Sequence, residues 1–93
     1  MDVTTFSVPD DQLLKGIGLT YVSDSEPGIR RLRSGRGFCY RLPSGDLLRD
    51  PEEKRRIAAL ALPPAYENVW ICLDPMGHLQ ATGYDNRGRK QYR

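Results

Sequence analysis

Asp50-Pro51-Glu52-Glu53 opens a helix, and Pro63-Pro64 limits how far it can run. Aspartate accepts a hydrogen bond from the first helical turn, and proline suits the first helical position because its missing N–H would find no partner there. Glutamate three residues after the cap completes the capping-box spacing. The spacing predicts a helix through Lys54-Arg55-Arg56-Ile57-Ala58-Ala59-Leu60-Ala61. Ile57, Leu60 and Ala61 form its buried side, Glu52 is placed to pair with Arg56, and Lys54, Arg55 and Arg56 read as a solvated face. A helix this short covers only part of a core, so the β-prone segments on either side must supply the rest.

Those segments are short and separated by turn signals. Downstream, Val69-Trp70-Ile71-Cys72-Leu73 is a strong β run in which Trp70 anchors packing, and Asp74-Pro75-Met76-Gly77 connects it to a return strand over 78–84. In that return strand Leu79 and Ala81 alternate with His78, Gln80, Thr82 and Tyr84, the pattern of one buried and one wet face. Asn86-Arg87-Gly88 then turns the chain into a last strand beginning near Lys90. Upstream, 29–33 and 37–42 are strands divided by Ser34-Gly35-Arg36-Gly37, and Asp46 to Leu48 pairs back across Pro43-Ser44-Gly45. Leu19-Thr20-Tyr21-Val22 reads as a further strand. Before it, a short helix starts at 7–12, with Ser7 as cap and Pro9, Asp10 and Asp11 in the first turn. Leu13, Leu14 and Ile17 give that helix an apolar side, and Gly16 or Gly18 ends it. The order predicts one α+β domain over 1–93, with a small antiparallel sheet of about five strands and two short helices.

The 93 residues are enough for a modest core and too few for a large enzyme. No secretory signal or membrane-spanning run is visible, so the reading is cytoplasmic, with no membrane partner. Cys39 and Cys72 lack the paired spacing of a zinc or redox motif and are expected to be reduced strand residues. His78 has no acid or thiol neighbour and reads as a polar strand residue, not a base. No phosphate-binding glycine loop or clustered carboxylate pair occurs, so no catalytic residue, metal site or cofactor is assigned.

Charge distribution carries the functional signal. Nine of the 14 basic residues fall in two segments, 28–41 and 83–93, while 11 of the 12 acids lie elsewhere. Eight of those nine cations are arginines, the side chain best shaped for bidentate contacts with phosphate or guanine. The final stretch, Gly83-Tyr84-Asp85-Asn86-Arg87-Gly88-Arg89-Lys90-Gln91-Tyr92-Arg93, places cations, an amide and aromatics on a strand-turn-strand pattern. Glycines 83 and 88 supply tight geometry and room for another surface. Lying on nucleic acid is one use of such a hairpin; a solvated surface is the other.

Three blocks resemble a known family. Leu62-Pro63-Pro64-Ala65-Tyr66-Glu67-Asn68-Val69-Trp70-Ile71-Cys72, then Gly77-His78-Leu79-Gln80-Ala81-Thr82-Gly83, then Asp85 with Gly88-Arg89-Lys90-Gln91-Tyr92-Arg93, closely resemble the N-terminal domain of bacterial type IB DNA topoisomerases, relatives of the poxvirus enzyme. Glu26-Pro27-Gly28-Ile29-Arg30-Arg31 and Gly35-Arg36-Gly37-Phe38-Cys39-Tyr40 fit the same pattern, so the resemblance covers about residues 18–93. It implies a non-catalytic domain that grips duplex DNA from the major-groove side. A separate C-terminal helical domain of the same polypeptide, absent from residues 1–93, would carry the tyrosine nucleophile and relax supercoils through a 3′-phosphotyrosine. The resemblance places Gln91 and Tyr92 toward the groove and backbone, and Arg87, Arg89 and Lys90 toward phosphates. Arg93 and Tyr84 complete the expected DNA-binding set. Arg30, Arg31, Arg33 and Arg36 have no matched counterpart, so an exposed hairpin and DNA contact remain equally open for them. The alternative to the whole assignment is a stand-alone nucleic-acid-binding or protein-interaction module that uses the basic hairpin differently.

Overall fold

The computed structural model describes residues 10–93. In chain order the elements are α1 (Asp11–Gly16), β1 (Ile29–Ser34), β2 (Gly37–Arg41), α2 (Pro51–Ala59), β3 (Glu67–Ile71), β4 (Ala81–Tyr84) and β5 (Lys90–Tyr92). The five strands form one antiparallel sheet in the order β2-β1-β3-β4-β5, which makes β2 and β5 its edges. The fold is thus the expected small α+β domain with two helices. Among the described residues no helix is long and apolar enough to cross a membrane.

Helix α2 begins with the expected cap and proline, while Glu53, placed at the capping-box spacing, turns its carboxylate to Arg56 instead. Asp50 is extended and accepts the Glu52 N–H at 3.0 Å, and Pro51 takes the first helical position. Ile57 is 3% exposed and joins Ile29, Leu48, Val69, Ile71 and Ala81 in the main core, with Tyr40, Leu42, Leu60, Leu62 and Tyr66 packed around it. Ala61 departs from expectation: the helix stops at Ala59, and Ala61 is exposed in the left-handed region at φ 52°. A residue just past a helix end takes that conformation to close off the last carbonyls.

Arg56 corrects the expected solvated face. It pairs with Glu53, not Glu52, through Nε and Nη2 at 3.2 and 2.8 Å. Its Nη1 also donates to Gln80 Oε1 at 2.6 Å and its Nη2 to the Cys72 carbonyl at 2.7 Å. With 15% of its side chain exposed, Arg56 fastens α2 to the connection between β3 and β4. Lys54 and Arg55 remain solvent-exposed as expected.

A second cluster lies on the opposite side of the sheet, where Trp70, 2% exposed, packs with Val22, Cys72 and Leu79. The indole Nε1 donates to the Glu26 carbonyl at 2.9 Å and so draws the loop before β1 over the sheet. Burial pushes the Cys72 thiol up, and both cysteines are free. This second cluster explains why the expected one-wet-face pattern fails. Ala81, Thr82 and Gly83 are all buried, because the 22–26 loop covers one face and the main core the other. The strand itself starts at Ala81; His78 precedes it, accepts the Val22 N–H at Nδ1 and stacks on Tyr21 at 5.0 Å.

The N-terminal elements differ most. Asp10 caps α1 by accepting the Gln12 N–H, while the expected Ser7 cap and Pro9 lie outside the described residues. Only Leu14 of the expected apolar side is buried, with Leu13 and Ile17 each 66% exposed. Gly18, at φ 80°, follows the helix end. Leu19–Val22 forms no strand, only a single parallel bridge between Thr20 and Gly77. The expected pairing of Asp46–Leu48 is likewise one bridge, Arg41 to Leu47, flanked by Leu42 N–H to Asp46 O and Leu48 N–H to Tyr40 O.

Candidate nucleic-acid interface

The basic turn is built around one acid. Asp85 follows the end of β4, and its Oδ1 accepts the backbone N–H groups of Arg87 and Arg89, both at 2.9 Å. Its Oδ2 accepts Arg89 Nε at 2.9 Å and Gln91 Nε2 at 3.1 Å. Aspartate favours this role because its short side chain reaches the amides two to four residues on. Gly88, at φ 74°, completes the reversal, which few other residues adopt cheaply. The backbone N–H of Arg89, chiefly, with those of the neighbouring donors, holds the Asp85 carboxyl below the usual carboxylate range.

The register places the candidate residues on both sides of the β5 edge. Lys90 lies opposite Tyr84, Gln91 opposite Gly83, and Tyr92 opposite Thr82. Successive strand residues face opposite ways, so Lys90 and Tyr92 share one face with Tyr84 and Thr82, and the Lys90 ammonium sits 5.6 Å from the Tyr92 ring. Gln91 lies on the other face, and the Arg93 guanidinium lies 5.8 Å from the Tyr66 ring. The candidates therefore wrap an edge and do not pave one flat surface. Tyr92 is 58% exposed at that edge.

Gly83 was expected to leave room for another surface, and Tyr66 of the same chain fills that room. A Cβ at position 83 would stand 3.0 Å from the Tyr66 ring and 3.2 Å from Val69. The glycine serves packing under the hairpin.

Lys90 is latched. Its Nζ lies 2.5 Å from Asp24 Oδ2, which also accepts the Thr82 hydroxyl at 3.1 Å. The Lys90 bond holds the Asp24 carboxyl below its usual value, and Asp24 in turn raises the Lys90 ammonium. Sequence reading missed Asp24 altogether, since 66 positions separate it from Lys90. Arg87 and Arg93 enter no ion pair among the described residues, and both are exposed.

The upstream basic segment divides by residue. Arg31 is structural: it donates to the carbonyls of Leu62, Pro63 and Tyr66 at 3.4, 2.9 and 2.9 Å, and stacks 4.1 Å over Phe38. Burial lowers its guanidinium below the usual arginine value. Arg33 leans on the same ring and reaches the Pro64 carbonyl. Arg30 and Arg41 sit across from each other on the other face, beside an open depression of about 560 Å³ that Asp24, Glu26 and Gly45 also line. Arg36 is exposed in the β1–β2 turn.

These features define a small α+β domain whose one edge strand carries a preorganised cationic turn. The family described as bacterial DNA topoisomerase IB, N-terminal domain, matches residues 37–85, more than half of the chain, and the chain belongs to that family. A curated relative named DNA topoisomerase 1B, from Acanthamoeba polyphaga mimivirus, is 42% identical over 66 residues. That alignment covers 71% of this chain and 20% of the relative, so the chain spans about a fifth of the relative's length. No solved structure matches. The matched family region ends at Asp85, so Tyr84 and Asp85 fall inside it and the basic turn beyond them falls outside.

Proposed function

We propose that this domain grips duplex DNA along the β5 edge as the non-catalytic N-terminal part of a type IB topoisomerase. A separate C-terminal domain would cleave and rejoin one strand through a 3′-phosphotyrosine and so relax supercoils. The observation that carries this reading is the exposed cationic turn, ordered by Asp85, in a chain of this family. Arg87 and Arg93 are ready for phosphate. Arg89 uses only Nε on Asp85, which leaves its Nη groups for a phosphate. Lys90 must exchange Asp24 for one. Tyr92 and Tyr84 share the Lys90 face, where phenol hydroxyls reach sugar or phosphate. Gln91 supplies the group able to read a base edge.

The test is a salt titration of duplex binding by the 93-residue chain. About four phosphate contacts give a slope of log K against log salt of roughly −3 to −4. Tight, salt-insensitive binding contradicts the proposal, as does relaxation of supercoiled plasmid by the purified chain, because the nucleophile is assigned elsewhere.

A further inference from the structure

The Asp85 carboxylate is fully used. An ionised carboxylate offers about four acceptor sites, and here two go to the turn amides of Arg87 and Arg89, one to Arg89 Nε and one to Gln91 Nε2. With 14% of its side chain exposed, it is the most enclosed acid of the ion pairs formed by the described residues. The turn needs only the two backbone bonds. The bond to Gln91 joins the turn to a side chain six residues away on the next strand.

That bond decides which way the Gln91 amide points. An amide oxygen facing Oδ2 would meet the negative charge of a carboxylate that three other donors already hold ionised, one of them on Oδ2 itself, so only Nε2 is admitted. With one N–H committed, the other N–H and Oε1 remain available. One donor beside one acceptor is the pattern that matches adenine N7 and N6 in the major groove.

We propose that Asp85 is a positioning residue: it fixes the Gln91 amide in the orientation that reads adenine, and so sets base preference without touching DNA itself. This rests on the reading of the β5 edge as the DNA-facing surface. Arg89 belongs to the same unit, since its Nε is tied to the same oxygen that orients Gln91. The phosphate contact and the base contact are therefore fixed relative to each other before DNA arrives. A carboxamide at position 85 would keep an oxygen for the turn amides, yet it would offer Gln91 either a donor or an acceptor and free the amide to flip.

The experiment is selection from a randomised short-duplex pool by the unaltered chain, Asp85→Asn and Gln91→Ala, with thermal melting to confirm folding. The unaltered chain is expected to enrich adenine at one position by roughly 5- to 150-fold, the range of one good bidentate pair. Asp85→Asn should lose that enrichment as fully as Gln91→Ala does. It should still bind the pool, because Arg87, Arg89, Lys90 and Arg93 all remain. A role confined to holding the turn would instead lower overall affinity and leave preference alone. Enrichment that survives Asp85→Asn overturns the proposal. Binding without any enrichment overturns it too while leaving the DNA-facing edge intact, and no binding at all overturns both. Should Asp85→Asn not fold, acid titration of the unaltered chain decides the matter. The Gln91 side-chain amide protons must shift with the Asp85 carboxyl, and amide protons that ignore it contradict the proposal.

Discussion

Removing the Arg56 side chain should cost this domain more than any other single charge. The guanidinium makes two bonds to Glu53, one to Gln80 Oε1 and one to the Cys72 carbonyl, all between 2.6 and 3.2 Å. Arg56→Ala leaves that carbonyl without its donor in a residue 3% exposed, and it leaves Glu53 half-enclosed beside it. An unsatisfied buried polar group costs about 1–3 kcal/mol, and breaking a fully buried ion pair about 3–5 kcal/mol. This pair is only partly buried, so about 2–4 kcal/mol is expected. In a domain of this size that is a fall in Tm of roughly 10–25 °C. Arg56→Lys keeps the charge but cannot reach Glu53, Gln80 and Cys72 together, so it should recover less than half of the loss. Urea unfolding of the three proteins, followed by Trp70 fluorescence, measures these differences. A loss under about 0.5 kcal/mol for Arg56→Ala, the size of an ordinary surface change, would mean that these four bonds do not fasten α2 to the sheet.

Trp70→Ala should destabilise by about 3–5 kcal/mol, since it empties the second cluster and releases the 22–26 loop; a denaturation midpoint near the parent value would contradict its role. Ala61→Gly should stabilise by about 0.5–1 kcal/mol, the left-handed strain relieved less the added unfolded-chain entropy, and a lowered melting temperature would count against it. Asp24 and Asp85 have depressed folded values, so their stabilisation is present above the ordinary carboxylate value of 3.8 and is lost as pH falls through the lower folded values. Lys90 is raised, so its share persists below 10.5 and fades only as pH rises beyond that. The 84–93 amide signals should thus hold between about pH 5 and 10 and move in acid below about 4, and movement centred near pH 6 would point to a different group.

Legibility in the sequence followed the range of the interactions. The start of α2 was readable because Asp50, Pro51 and Glu52 act on each other within one turn. The turn at Asn86-Arg87-Gly88 and the burial of Trp70 were readable for similar reasons, a glycine turn signal and a large aromatic in a β run, while the Asp85 carboxylate that orders the turn was not read. Leu19–Val22 reads as a strand by composition, but the backbone bonds of Thr20 and Val22 go to the turn at Met76, Gly77 and His78 and not to a strand of the sheet. The solvated reading of Arg56 failed, and the Asp24 partner of Lys90 went unseen, because Gln80, Cys72 and Asp24 are brought to these cations by folding and leave no local spacing. Arg31 shows the same limit: five arginines in one segment looked alike, and only packing assigns this one to the carbonyls of 62, 63 and 66.

Whether duplex DNA lies along the β5 edge is decided by amide shift mapping of the labelled chain with a short duplex. DNA on that edge gives the largest shifts at residues 84–93, a smaller response at Asp24 and Thr82 as Lys90 leaves its latch, and little change in α1. Shifts confined to α1 or to the α2 surface, with residues 84–93 silent, would contradict it.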